Sequence, residues 1–282
     1  MLSQRQLDEF STRGFLRIAS VYSPENISAM KDQVWHQLGQ STGIAKDFPE
    51  TWPHSNGPVV CESLLQKFSL SPNISGLLNE LLGFGNWSKP NDWGATRVQF
   101  PEMTPSEWAV PQKGWDFTAQ TGWIPDRLFG VKCISFLSEF TPEEGGHLVI
   151  SGSHKLVEAA IRESGIGSHQ EKVFLLKHLK NSSAWLQELT DGPKDDPLRT
   201  AFFTSQTSKV HGIDLQVETL SAQPGDVFIL HPWLLHTLAP ICSETPKLFQ
   251  EMTLRSQPFL KQPKAAQIQP EYFAENTFRA LV

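Results

Sequence analysis

Nine histidines are spread over the 282 residues, and two stand apart by their setting. His231 and His236 flank Pro232-Trp233-Leu234-Leu235, directly after the turn Pro224-Gly225-Asp226 and the apolar run Val227–Leu230. A chain that leaves a buried strand, turns at a proline and pairs again can aim one of these imidazoles into an enclosed space, where it would ligate a metal or move a proton. For Gly225-Asp226 turn chemistry is a sufficient account. His36 falls on a helical stretch, and His54, His169 and His178 lie among polar residues, so these read as surface or satisfied histidines. Cys61, Cys133 and Cys242 are far apart and lack C-x-x-C spacing, which argues against a thiolate zinc site and against a disulfide framework. A reducing, cytoplasmic compartment is expected. On the run Ala95–Phe100, alternation sets Arg97 and Gln99 on one side and Val98 and Phe100 on the other. The polar pair therefore faces either a pocket or solvent.

The elements that must hold these groups change character along the chain. From Pro24 to Leu38, Ile27, Met30, Val34 and Leu38 recur at steps of three and four, with Ser23 as N-cap, Pro24 at the first helical position and Gly39 just beyond. A second helix is signalled by Ser71-Pro72 and by Leu77, Leu78, Leu81 and Leu82, and stopped by Gly83. Leu7 and Phe10 mark a shorter helical piece before the strand candidate Phe15–Ile18. After Asn91 short β-branched and aromatic runs take over: Ala95–Phe100, Phe129–Leu137, His147–Ser151, Leu215–Leu220, Val227–Leu230 and Leu248–Arg255. Gly/Pro turns separate them, and no G-x-G-x-x-G loop or βαβ rhythm appears, so a sandwich or jelly roll is expected rather than a doubly wound fold. One domain over 1–282 is expected, its β core spanning roughly 91–256, with a helical insertion at 156–207 read as a lid over the barrel mouth. The tail after Gln257 is rich in proline and glutamine.

Composition narrows the partners. With 24 Lys and Arg against 30 Asp and Glu, the formal charge is −6 and no basic block stands out, which argues against nucleic acid. The N-terminus has no apolar signal region, and the longest apolar stretch, Val227–Ile241, is broken by His231, Pro232 and His236, so neither secretion nor a membrane span is expected. The 9 Trp and 18 Phe against 2 Tyr suit an apolar-walled pocket, with Trp115, Phe117, Trp123 and Trp233 as candidate lining.

The stretch GDVFILHPWLLHTLAP, with EEGGHLVISGSHK upstream and the opening DEFSTRGFLRI and SPENISAM, resembles the phytanoyl-CoA dioxygenase family of non-haem Fe(II), 2-oxoglutarate-dependent oxygenases, over roughly Leu7 to Arg255. The resemblance implies a mainly β double-stranded β-helix, a cupin-like jelly roll, with iron near one open end and helices outside. Two imidazoles and one carboxylate would leave three iron positions open, two for 2-oxoglutarate and one for O₂. The family's distal histidine matches His236. Coenzyme A thioesters need basic contacts for their phosphates, and no such cluster appears.

Three departures from the family pattern qualify that expectation. Where the family has Trp-His-x-Asp, this chain reads Gly114-Trp115-Asp116-Phe117-Thr118, without the proximal histidine. Either two residues are deleted and Asp116 is the family carboxylate, the reading preferred here, or Asp116 stands at the histidine position and Thr118 at the aspartate. Asp116 and His236 are then the metal and catalytic candidates, with His147 and His154 as weaker candidates for a missing ligand. Eleven residues after His236 the family arginine that grips 2-oxoglutarate is replaced by Lys247, with Arg255 on the same strand and Gln99 nearby as further cosubstrate candidates. Ile241 stands where relatives often carry Asn. Two functions follow: an Fe(II)/2-oxoglutarate dioxygenase hydroxylating a small, apolar organic substrate, or a metal-poor member serving as structural or regulatory subunit of an active homologous partner.

Overall fold

A computed structural model describes residues 2–53, 57–61, 72–90, 94–101, 108–118, 128–164, 172–192 and 197–256. Helix α1 (Gln4–Arg13) starts on a capping box in which Ser3 and Gln6 satisfy each other's backbone amides. Helix α2 (Pro24–Thr42) starts at Ser23 and Pro24 as the sequence predicts, and buries Ile27, Met30, Val34 and Leu38. It runs on past Gly39, and the left-handed cap is Gly43 at φ +75°. Glycine weakens a helix interior but does not stop it, so the next glycine that can adopt positive φ ends the helix. Helix α3 (Pro72–Leu82) gives way to Gly83, at φ +88°.

Strands β1 (Phe15–Ile18), β2 (Val59–Cys61), β3 (Ala95–Gln99), β4 (Gly130–Phe136), β8 (Val227–Leu230) and β10 (Lys247–Arg255) form one antiparallel sheet in the order β1-β8-β4-β10-β3-β2. Strands β5 (Gly146–Ser151), β6 (Ser208–Val210), β7 (Ile213–Thr219) and β9 (His236–Ala239) form the second, in the order β6-β7-β5-β9. Four helices, α4 (Ser153–Ser164), α5 (Lys172–Ser182), α6 (Ala184–Asp191) and α7 (Pro197–Ser205), lie between β5 and β6. The whole is a jelly-roll, cupin-like fold.

Period-two alternation sorts the side chains into three cores. Val131 and Cys133 of β4 and Leu248, Met252 and Leu254 of β10 point outward to the apolar faces of α2 and α3. Ile134, Phe136, Phe249, Val149 and Phe228 point inward between the sheets. Leu148, Ile150, Leu215 and Val217 pack outward against α4 to α7 through Val157, Leu179, Leu189 and Phe203. Both sheets therefore have a sealed outer face, and polar groups placed on an inner face meet each other with only partial access to water.

Asp226, a turn residue by sequence, does more than turn the chain. It is buried and accepts from Arg17 Nε at 2.9 Å and Nη2 at 2.5 Å, and from the backbone amides of Ser20 and Gln223 at 2.9 Å each. One carboxylate thus ties β1 and the chain after it to the turn that opens β8. Asp226→Ala leaves two amides without an acceptor and should cost about 3 kcal/mol. Chemical denaturation of the variant checks this, and a loss below about 1 kcal/mol would remove the role.

Candidate functional site

His236 opens β9, and its backbone exchanges two hydrogen bonds with Asp116, N to O at 2.9 and 2.8 Å. Thr118 N donates to Pro232 O at 2.7 Å, continuing the contact. Gly114, at φ +85°, lets this segment close on β9, since a Cβ there would lie 2.9 Å from Thr237 Oγ1. So the two residues that the sequence singles out are brought together by backbone pairing, before any side-chain interaction.

The side chains are already engaged. His236 Nδ1 lies 2.9 Å from the Leu234 carbonyl, which can only accept, so Nδ1 carries the proton and Nε2 the lone pair. That lone pair meets Lys132 Nζ at 3.0 Å. Lys132 also pairs with Glu251 Oε1 at 3.0 Å, and Arg97 Nε with Glu251 Oε2 at 2.8 Å. Asp116 Oδ1 pairs with Lys172 Nζ and accepts from Phe117 N at 2.8 Å. Arg97, Lys132 and Glu251 come from adjacent strands β3, β4 and β10, and His147 joins them from β5 of the opposite sheet. With Asp116 and His236 these residues line a cavity of about 160 Å³.

Burial sets the charge states here. It works to raise the Glu251 carboxyl, but His147, Lys132 and Arg97 outweigh it and bring the group down to about 2. Burial, with Lys132 adding to it, lowers His236 from 6.5 to about 4. His147 falls to about 3, again chiefly through burial, so both imidazoles are neutral at pH 7. His231 and His154 lie against each other beneath α1, with ring centroids 4.9 Å apart and planes tilted by 41°, and burial takes them to about 3 and about 4. His154 Nε2 lies 3.1 Å from Ser11 O, and His231 Nδ1 accepts from Trp233 N, so these two are structural.

The cosubstrate candidates lie elsewhere. Lys247 Nζ is held by Glu139 O and Glu144 Oε2, both at 2.9 Å, and Arg255 is exposed at the far end of β10 opposite Gly130. Lys247, Glu251 and Arg255 share one face of β10 but stand about 13 Å apart in steps of four residues, so only Glu251 reaches the cavity wall. Gln99 Nε2 donates to Ala239 O at 2.7 Å and stitches the two sheets together. The expected aromatic lining also differs. Phe117 and Trp233 are buried in the core under α4 to α7, and Trp115 packs against it, away from the cavity wall; Trp123 lies outside the described residues. Lys132, Lys172 and Glu251 escaped sequence reasoning, although a lone charge inside an apolar strand, Lys132 in GVKCISF or Glu251 in LFQEMTL, was the available signal.

As a centre for iron the donor set does not fit. Asp116 and His236 are two donors where a facial triad needs three, and no three His, Cys, Asp or Glu among the described residues are grouped to hold an ion. Each of the two already faces an ammonium, and a divalent cation would have to displace or repel it.

No protein-family model matches the chain, and no curated protein matches it. Solved structures do. HygX from Streptomyces hygroscopicus, with nickel and 2-oxoglutarate bound, is 15% identical over 90% of this chain and 87% of that one, at a TM-score of 0.50. SnoN, a non-heme alpha ketoglutarate dependent epimerase from nogalamycin biosynthesis, is 12% identical over 89% and 82%, at 0.53. EvdMO1 is 15% identical at 0.51 over 89% of this chain, which spans 49% of that protein. The likeness establishes that this chain shares the fold of 2-oxoglutarate-dependent oxygenases.

Four histidines held neutral give the fold a defined acid limit. The unfolded chain protonates each near 6.5, whereas the folded chain takes none up until about 3 to 4. Their stabilisation is complete above pH 6.5 and is lost as the pH falls from there toward 4, each changing the unfolding equilibrium by about tenfold per pH unit. Denaturant midpoints at pH 7.5, 6.0 and 5.0 should fall steeply, and a flat series would contradict these assignments.

Proposed function

We propose that the chain is a ligand-binding, catalytically deficient relative of the phytanoyl-CoA dioxygenase-type oxygenases, working without resident iron. Its most economical role is that of a structural or regulatory subunit beside an active homologue. The observation that carries this reading is the Lys132 ammonium at 3.0 Å from the one lone pair that His236 could offer a metal. Lys172 on Asp116 repeats the same substitution at the second donor. Two lysines of the chain thus stand where the positive charge of iron would be.

A second reading, an Fe(II)/2-oxoglutarate dioxygenase acting on a small organic molecule, is favoured by one observation. Asp116 and His236 stay paired through reciprocal backbone bonds, and the Leu234 carbonyl holds His236 in the tautomer a metal would require. In that case iron has to displace Lys132 from the imidazole. The wall that the candidate substrate would meet is charged, so the apolar substrate class expected from the aromatic content has no support from the described lining.

Protein purified anaerobically with excess Fe(II) separates the two. The first reading predicts well under one iron per chain after desalting, and no 2-oxoglutarate-dependent succinate above a protein-free control. Stoichiometric iron together with sustained succinate formation by the chain alone would reject it in favour of the oxygenase.

A further inference from the structure

We propose that the cavity beside His236 is a binding site for a short monocarboxylate, gripped by the free edge of Arg97 and read by His147. The inference rests on the metal-free reading and names the ligand class of that same site.

His147 supplies the first observation. Its side chain is 3% exposed, it lines the cavity, and neither ring nitrogen has a hydrogen-bond partner. Its nearest charged group is the Glu251 carboxylate, 3.8 Å from Nε2 and beyond hydrogen-bond reach. Phe249 and Phe136 hold the ring edge-on at centroid distances of 4.5 and 5.8 Å, so the imidazole is fixed by packing and presents both nitrogens unsatisfied. Buried polar groups of that kind are rare in folded proteins and mark a place where water or a ligand completes the bonding. The ring is neutral at pH 7, because burial brings it to about 3, so it offers one N–H and one lone pair.

The remaining capacity of the wall is rich in donors. Both Glu251 oxygens lie against cations, one against Lys132 and one against Arg97 Nε, and Asp116 Oδ1 is taken by Lys172 and Phe117 N, which leaves Asp116 Oδ2 as an acceptor. The terminal nitrogens of Arg97 have no partner among the described residues, and Lys132 has a third hydrogen beyond those given to His236 and Glu251. Three cations, Arg97, Lys132 and Lys172, face two carboxylates, which leaves one positive charge uncompensated. An acceptor-bearing monoanion answers both the charge and the donors, and the planar guanidinium selects a carboxylate, which it meets with two parallel bonds. The cavity volume, about 160 Å³, equals the share of roughly five water molecules, which fits a short acid. A second carboxylate would be set against Glu251. A hydroxyl beside the carboxylate matches His147, since it can donate to the lone pair and accept from the N–H.

Titration calorimetry in excess chelator, with propionate, lactate and succinate as probes, tests the assignment on the full chain. Lactate should bind at least fivefold more tightly than propionate, and succinate more weakly than both. Arg97→Lys, which keeps the charge and loses the fork, should weaken lactate and propionate alike by about tenfold. His147→Phe, an apolar ring among apolar rings, should bring lactate and propionate to equal affinity. Should either variant misfold, ¹⁵N-imidazole spectra of the native chain still decide, because lactate must shift the His147 ring nitrogens. If no monocarboxylate binds at tens of millimolar and those nitrogens stay unmoved, the cavity holds only water and the inference is overturned, while the metal-free reading stands. Tighter binding of succinate than of lactate also overturns it. Binding that appears only when Fe(II) or Ni(II) replaces the chelator overturns the metal-free reading itself.

Discussion

Glu251 is a carboxylate on the inner face of a strand whose inward neighbour, Phe249, belongs to the aromatic core. A lone negative charge there is costly, and the fold keeps it ionised only by setting cations around it. Arg97 on one neighbouring strand and Lys132 on the other do so, each within 3.0 Å. The further arrangement of the site follows from that need. Once Lys132 reaches inward to Glu251, its ammonium also lies against His236 Nε2, and the imidazole becomes an acceptor for an internal cation. Because Lys132 and Glu251 neutralise each other, both can stand in the barrel interior without an external ion. The same lysine that satisfies the carboxylate thus also faces the lone pair that a metal would use.

The sheets make this arrangement rigid. Lys132, Arg97 and Glu251 come from three hydrogen-bonded strands of one sheet, and His147 and His236 from two paired strands of the other. Their outer faces are sealed by α1 to α3 on one side and by α4 to α7 on the other, so sliding a strand would expose apolar side chains as well as break ion pairs. Gln99 reaching to Ala239 fastens the two sheets, and the reciprocal backbone bonds of Asp116 and His236 pin the segment at Asp116 to β9 where the cavity opens. A site built this way tolerates little movement.

Much of the scaffold is legible in the sequence because it depends on local periodicity. Val227–Leu230 is read to the residue, and the helix from Pro24 is found from its cap and its buried stripe, with only its end displaced from Gly39 to Gly43. Strands β2 and β6, of three residues each, carry too little pattern to be seen. The site is less legible, since it is made by register rather than by motif. Asp116 and His236 can be named from the sequence, but Lys132, Glu251 and Lys172 act through partners more than a hundred or some fifty residues away in the chain. Nothing local tells Lys247 from Glu251 as the residue of β10 that reaches the cavity, because both lie on the same face and only the pairing with β3 and β4 decides which is level with His236.

The site depends on the bond between Lys132 and His236, and ¹⁵N-imidazole NMR observes that bond directly. In the native chain at pH 7.5, His236 should show a protonated Nδ1 and a hydrogen-bonded, lone-pair Nε2. Both signals should survive one equivalent of paramagnetic Co(II) without broadening or shift. Loss or displacement of the His236 Nε2 signal at one equivalent of Co(II) would mean that a metal takes the place of the ammonium, and would contradict the account.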